Sequence, residues 1–295
     1  MTLRPLHPSE TDAAHALWQR SAPLDPVSAS VFREKLETEP ALAVAAGEVG
    51  APAALGVGVL WPTAEAVRGS VRLLAVDPSA RRRGLGRRLL SALEEALRQR
   101  GATVARLAEA APNYLTPGVD VRNAGALALA EACGYAPIGE AVNLGVDLTA
   151  RAWDTAADEA RLTAVGVGVR RATTADRPAL AELLAARWPP WEAETDRALA
   201  HPTPTLHLAL RDGAAVGFAA HDANNVGTGW FGPMGTDPSV RGLGIGRVLL
   251  WRCLADMRRA GRDRATIAWA AALPFYEDAC GATIERRFRR FEKPL

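Results

Sequence analysis

The chain has 295 residues, 48% of them hydrophobic, with 35 Lys and Arg against 33 Asp and Glu for a net charge of +2. The length suits two ordinary domains, and the near-balanced charge excludes a global polyanion-binding role. There is no apolar run long enough to span a bilayer and no secretory leader pattern, and Cys133, Cys253 and Cys280 lack metal-ligand spacing. A reduced, cytoplasmic protein is expected, with no metal and no membrane or nucleic-acid partner. The weight of Ala, Arg and Gly points to a bacterial source.

Leu3–Leu6 reads as a short strand, and Ser9–Asp12 caps a helix over Ala13–Arg20. A second helix is expected over Pro26–Thr38. The small apolar runs Leu42–Ala46 and Ala54–Trp61 form a hairpin around Gly47–Gly50. A strand over Ser70–Val76 stops at Asp77-Pro78-Ser79, because Pro cannot continue a ladder. Then comes Arg81-Arg82-Arg83-Gly84-Leu85-Gly86-Arg87, followed by Leu89, Leu90, Leu93 and Leu97 on one helical stripe that ends at Gly101. A strand over Thr103–Leu107 leads to a Pro/Gly-containing loop, Pro112–Asp120, and a helix ending at Cys133-Gly134.

The order then repeats. After a connector over 151–166, with a helical pattern at Ala156–Ala164, Val169–Ala172 matches the opening strand. Helices over Pro178–Arg187 and Trp191–Ala200 follow. A hairpin turns at Asp212-Gly213, and Thr236–Leu250 aligns without a gap on Val76–Leu90, so that Asp237, Arg241, Gly244 and Gly246 match Asp77, Arg81, Gly84 and Gly86. Two modules are therefore expected, over 1–150 and 167–295. Each is a β-α-α-β-β-β-α-β-α-β unit of the mixed α/β (α+β) class, with helices flanking a mostly antiparallel sheet.

A strand running through glycines into a helix exposes unpaired N–H groups at the positive end of the helix dipole, which suits a phosphate. One copy alone can equally be a tight turn; two matched copies argue against coincidence. Arg-x-x-Gly-x-Gly after a strand ending in Asp-Pro resembles the acetyl-CoA loop of the GNAT superfamily of N-acetyltransferases. The two-module form is similar to that of mycothiol synthase. The resemblance implies direct transfer of an acetyl group from the thioester to a primary amine on a small molecule or peptide, by a monomer or homodimer. It also implies that Leu74, Ala75 and Val76, with Met234, Gly235 and Thr236, line the thioester arm. The diphosphate would sit on Arg81, Arg82, Arg83, Gly84, Leu85, Gly86 and Arg87, or on Arg241, Gly242, Leu243, Gly244, Ile245, Gly246 and Arg247.

The catalytic groups are less plainly written. Where the family sometimes carries a Glu base stand Ser70 and Trp230; Asp120, Glu192, Glu194, His221 and Asp222 are substitutes, each equally a surface or capping residue. The family's usual Tyr acid is replaced by Ala130 in the first half, while Tyr276 lies one residue out of register in the second, with Glu277 at the expected place; Tyr276 favours the second half as the catalytic one, and the Pro117-Gly118-Val119-Asp120 loop argues for the first. The alternative for Tyr276 is packing beside Phe275. Asn123 matches a cofactor-contacting position or is a helix cap. Tyr114 and Asp120 in the extra loop, and Trp188 and Trp191, are candidate substrate contacts. Arg286–Arg290 alternates like an edge strand. A non-catalytic acyl-CoA-binding or regulatory protein is the rival reading. A nucleotide-binding protein is weaker, since such a phosphate loop ends in Gly-Lys-Ser/Thr and both loops here end in Gly-Arg.

Overall fold

The alternation of small apolar runs with apolar helical stripes builds a repeated sheet-and-helix unit. A computed structural model describes residues 1–37, 41–62 and 67–295. The first run of elements is β1 (Leu3–Pro5), α1 (Thr11–Ser21), α2 (Ala29–Glu37), β2 (Leu42–Glu48), β3 (Ala51–Pro62), β4 (Val67–Val76), α3 (Leu85–Arg98), β5 (Val104–Leu107), β6 (Val119–Asp120), α4 (Ala124–Ala132) and β7 (Ala136–Asp147). The second is α5 (Ala156–Ala164), β8 (Val167–Arg171), α6 (Arg177–Arg187), α7 (Glu192–Ala200), β9 (Leu206–Arg211), β10 (Ala214–His221), β11 (Trp230–Thr236), α8 (Ile245–Arg259), β12 (Arg264–Ile267), α9 (Leu273–Cys280) and β13 (Thr283–Pro294). The order is the expected one, with β6 added inside the extra loop. The second helix of the first half ends in the described residues at Glu37; Thr38 lies outside them.

The chain divides into a unit of 1–141 with 287–295 and a unit of 142–286. In the first unit β1 to β4 form an antiparallel meander, and β4 pairs in parallel with β5 from Arg68↔Val104 to Val71↔Leu107. The final stretch of β13 closes the other side of β5, antiparallel, with Glu292 opposite Arg106. In the second unit β8, β9, β10 and β11 form the antiparallel part, β11 pairs in parallel with β12, and β7 closes β12 with Asp147 opposite Arg264. Each half's last strand thus lies in the other half's sheet.

Burial follows the stripes. Leu89, Leu90, Leu93 and Leu97 of α3 are buried, as are Val248, Leu249, Cys253 and Leu254 of α8. At about 1.5–3 kcal/mol for each large apolar side chain, as an upper estimate, these faces hold the helices on their sheets. Each unit also has an equivalent ion pair of its own. Arg4 donates to both oxygens of buried Glu10 at 2.6 and 2.7 Å, and Arg170 does the same to Asp176 at 2.7 and 2.6 Å. Both residues of the β9–β10 turn, Asp212 and Gly213, have positive φ, which a two-residue hairpin needs to match the strand twist.

The returning strand is anchored by chemistry as well as by its ladder. Phe288 and Phe291 are fully buried, and Arg290 reaches the buried Glu109 carboxylate at 2.5 Å, which Arg106 also holds at 2.5 Å. Phe291→Ala should destabilise the first unit by about 3–5 kcal/mol. Hydrogen exchange should report lost amide protection in β5 while β12 keeps its own; equal losses in both strands would contradict this pairing.

Candidate cofactor cleft and its closed counterpart

The site begins where β4 outruns β5. Their last pair is Val71↔Leu107, after which β4 continues to Val76 and leads through Pro78–Ala80 into α3. Gly84 caps α3 with φ +76 and no side-chain cap, so the first amides of the helix point outward unsatisfied by a capping group. A Cβ built on Gly84 meets nothing within 4 Å. Beside it opens a cleft of about 710 Å³, lined by Leu74, Ala75 and Val76, by the loop from Arg81 to Arg87, and by Ala22, Arg122 and Asn123. Arg83 is exposed beside the cleft rather than in its lining. Asn123 does both things expected of it: it lines the cleft, and its Oδ1 accepts from Ala126 N at 3.1 Å as the cap of α4.

Arg81, expected on the phosphate, braces the loop instead, together with Asp77. Arg81 donates from Nε to the Val76 carbonyl at 3.0 Å and from Nη2 to the Ser21 carbonyl at 2.8 Å. Asp77 accepts from the Ser79 hydroxyl at 2.6 Å and from Arg20 Nε at 2.6 Å. Those bonds, the Ser79 one foremost, draw its carboxyl down to about 2. The second unit repeats the brace with Ser239 and Arg187 on Asp237, also held at about 2.

A second hollow continues inward. It has a volume of about 110 Å³ and shares Asp25, Leu74, Asn123, Ala126 and Leu129 with the cleft. Arg72, Thr116, Asp120 and Ala130 also line it. Arg72 is the extra residue of a β-bulge, because Val57 pairs with Leu73 while Gly58 pairs with Val71. A bulge re-aims a side chain and recurs beside functional sites. Of the two candidates in the extra loop, both buried, Asp120 lines this hollow and Tyr114 does not. Ser70 is buried and donates its hydroxyl to the Glu109 carbonyl at 2.6 Å. Asp25, Arg72 and Arg122 escaped the sequence reading; a charged residue inside an otherwise apolar strand was the available signal for Arg72.

The same cradle in the second unit is closed by the unit's own side chains. Gly244 caps α8 with φ +85, but a Cβ there would lie 2.9 Å from Arg161 Nη2. Arg161, on α5, donates to the Leu243 carbonyl at 2.9 Å and to Asp158 at 3.1 Å, and Asp158 also holds Arg247 at 2.9 Å. On β11, a Cβ on Gly235 would lie 2.7 Å from the Trp188 ring. Trp188 stacks on Trp191 at 5.6 Å and packs edge-on to Phe218, so the pair fills space. Thr236 is half-buried and Gly242 is open to a Cβ. Ile245 is buried in the core, and Arg241 is exposed.

The other candidate groups of this unit are packed too. Tyr276 sits edge-on to Phe275 at 5.1 Å and Phe231 at 6.3 Å, and burial pushes its phenol well up. Trp230 and Glu194 are buried, and Glu192 is exposed. Burial pulls the His221 imidazole down, but its hydrogen bond to Asp222 at 3.2 Å and the nearby Asp256 carboxylate at 3.7 Å outweigh that and raise its pKa. Asp256 also takes His207 at 2.7 Å and Arg171 at 2.6 Å, so His221 and Asp222 belong to an ion network against α8. Among the described residues no helix is long and apolar enough to cross a membrane, and no group of three His, Cys, Asp or Glu side chains is arranged to hold a metal.

Asp77 and Asp237, being held below their unfolded values, add stability that is present above about pH 4 and is lost as pH falls toward 2. Melting curves between about pH 6 and 2 should therefore fall less steeply for Asp77→Asn/Asp237→Asn than for the wild type, and start lower. An unchanged slope would mean that these braces carry no linked protons.

The model of the acetyltransferase (GNAT) family matches residues 11–135 and 177–282, more than half of the chain. No curated protein sequence matches this one. Among solved structures, the chain is similar over 99% of its length to a fungal multi-domain GH3 beta-N-acetylglucosaminidase with a GCN5-related glucosamine N-acetyltransferase region (TM-score 0.86, 18% identity). It spans 38% of that protein's length. It is also similar to a GCN5-related N-acetyltransferase from Sphaerobacter thermophilus (TM-score 0.70, 20% identity, 99% of this chain and 95% of that one). A tandem GNAT protein from the clavulanic acid biosynthesis pathway matches with TM-score 0.69 and 17% identity, over 99% of this chain and 98% of that one. With both loops, both sheets and both family matches in register, the chain belongs to the GNAT family of acetyltransferases and carries two of its modules.

Proposed function

We propose that this chain is an acetyl-CoA-dependent N-acetyltransferase working through its first unit. The observation that carries the reading is a contrast between equivalent positions. Gly84, Ala22 and Ala75 leave a continuous cleft from the helix cap to the end of β4. Gly244 and Gly235 meet Arg161 and Trp188 instead. Ala22 and Trp188 both follow the last residue of the helix after the opening strand, so one small side chain there opens the groove and one large ring fills it.

Acetyl-CoA bound in the cleft supplies an activated acetyl group. The amides of Leu85, Gly86 and Arg87 hold its diphosphate against the helix dipole, and Arg82, Arg87 and Arg122 add charge. The backbone of Leu74–Val76 lies along the thioester arm and supplies donors for the oxyanion. The amine enters from the inner hollow, which adjoins the cleft at Leu74 and Asn123. That second hollow favours transfer over the rival reading, since a protein that only binds acyl-CoA needs no room beside the thioester. Tyr276 is a core aromatic in this reading. No side chain equivalent to the family's Tyr acid stands at Ala130, so the leaving thiolate takes its proton from solvent in the cleft.

Calorimetric titration with acetyl-CoA should give one site per chain. Ala22→Trp should weaken binding at least ~10-fold, a loss of about 1.4 kcal/mol, with an unchanged circular dichroism spectrum. Two equal sites, or full affinity in a folded Ala22→Trp protein, would contradict the assignment.

A further inference from the structure

The loop of the first unit carries more positive charge than a diphosphate needs. Arg82, Arg83, Arg87 and Arg88 are all exposed, and Arg82 and Arg87 line the cleft. Among the described residues, none of these four side chains makes a hydrogen bond or an ion pair. Asp77, the acid of the same loop, is already taken by Arg20. In the second unit the equivalent positions are Gly242, Leu243, Arg247 and Val248, and Asp158 holds Arg247 at 2.9 Å. At these positions the first unit leaves four guanidiniums without a protein partner and the second leaves none.

Exposed arginines alone are commonly no more than a solvated surface. The backbone adds an independent observation. Arg82 sits at φ +62, in the left-handed region. Glycine takes that region freely, and Gly242 does so at φ +83 in the matching turn. A residue with a Cβ is strained there, and such outliers gather where a ligand is held. Arginine therefore stands where the turn itself asks for glycine. Being exposed, it gives no core packing in return; what it brings is a guanidinium at the cleft.

We infer that this arginine rim, Arg82 foremost, recognises the 3′-phosphate on the ribose of coenzyme A. This rests on the acetyltransferase reading above, in which the thioester lies along Leu74–Val76 and the diphosphate on the amides of Leu85, Gly86 and Arg87. The nucleotide then continues past the diphosphate, away from the end of β4. The diphosphate carries one charge per phosphorus, and a phosphate monoester adds about 1.5–2 more at pH 7. A guanidinium fork meets phosphate oxygens in pairs, and three further guanidiniums raise the local potential. The cleft thereby selects its donor. It takes a thioester of free coenzyme A over one on dephospho-coenzyme A, or one on protein-bound phosphopantetheine, which brings a single phosphodiester and no terminal phosphate. Arg82 lowers the stability of the free protein and raises its affinity for that donor.

Calorimetry on the full chain with acetyl-CoA, acetyl-dephospho-CoA and acetyl-4′-phosphopantetheine tests this. Acetyl-CoA should bind about tenfold or more tighter than the dephospho form at low salt, the scale of one charge-assisted bond. The gap should shrink as salt screens these exposed charges. The phosphopantetheine form should bind weakest. Arg82→Gly and Arg82→Ala, checked for folding by circular dichroism, should both narrow the ratio of acetyl-CoA to its dephospho form. The glycine variant should melt about 2–4 °C above the alanine variant, because only glycine relaxes the turn. Should neither variant fold, the wild-type ratio decides. Equal affinities for acetyl-CoA and its dephospho form, the full ratio kept by a folded Arg82→Gly, or phosphopantetheine bound as tightly as acetyl-CoA would overturn this inference alone. No binding of acetyl-CoA at all would overturn the parent reading and this one with it.

Discussion

Everything in the candidate site depends on one backbone choice: a glycine in the left-handed region at the head of a helix. Gly84 at φ +76 turns the chain sharply from the loop into α3 and brings no side chain to cover the helix's first amides. The N–H groups, left without a side-chain cap, and the helix dipole then present a positive site. Supporting residues hold this shape. Arg81 and Asp77 tie the loop to the ends of β4 and α1, so arginine charge is spent on geometry as well as on attraction.

The second unit keeps the same turn and loses the opening. Its Gly244 has nearly the same φ, yet Arg161 donates to the adjoining carbonyl and Asp158 takes Arg247. A cation and its counter-carboxylate from α5 occupy surroundings that are solvent-facing in the first unit. Trp188 covers the neighbouring strand at Gly235. On the proposed reading, repetition of the motif does not double the binding site; what lies over the motif decides. The exchanged strands add a further constraint, because β13 places Phe288 and Phe291 in the first unit's core.

Much of this was legible in the chain. The strand–loop–helix repeat, the Asp212-Gly213 hairpin and the helix at Ala156–Ala164 follow from local periodicity and turn chemistry, and local signals survive folding. The exchange of last strands was not legible, because Arg286–Arg290 alternates as an edge strand would, whichever sheet receives it. Nor was the closure of the second loop: Asp158, Glu159 and Arg161 read as polar residues of a connector, and only the fold brings Arg161 onto Gly244. Tyr276 drew attention by its near match to a family position, while its surroundings, Phe231 and Phe275, lie on other parts of the unit or beside it. Arg72 was hidden for a similar reason, since its placement depends on a one-residue bulge between β3 and β4.

The most direct test of this account is a crystal structure determined with acetyl-CoA. The account predicts diphosphate density on the amides of Leu85, Gly86 and Arg87, with Arg161 still on the Leu243 carbonyl and Trp188 still over Gly235. Diphosphate density at Gly244 with Arg161 swung away, or an empty cradle at Gly84, would contradict it.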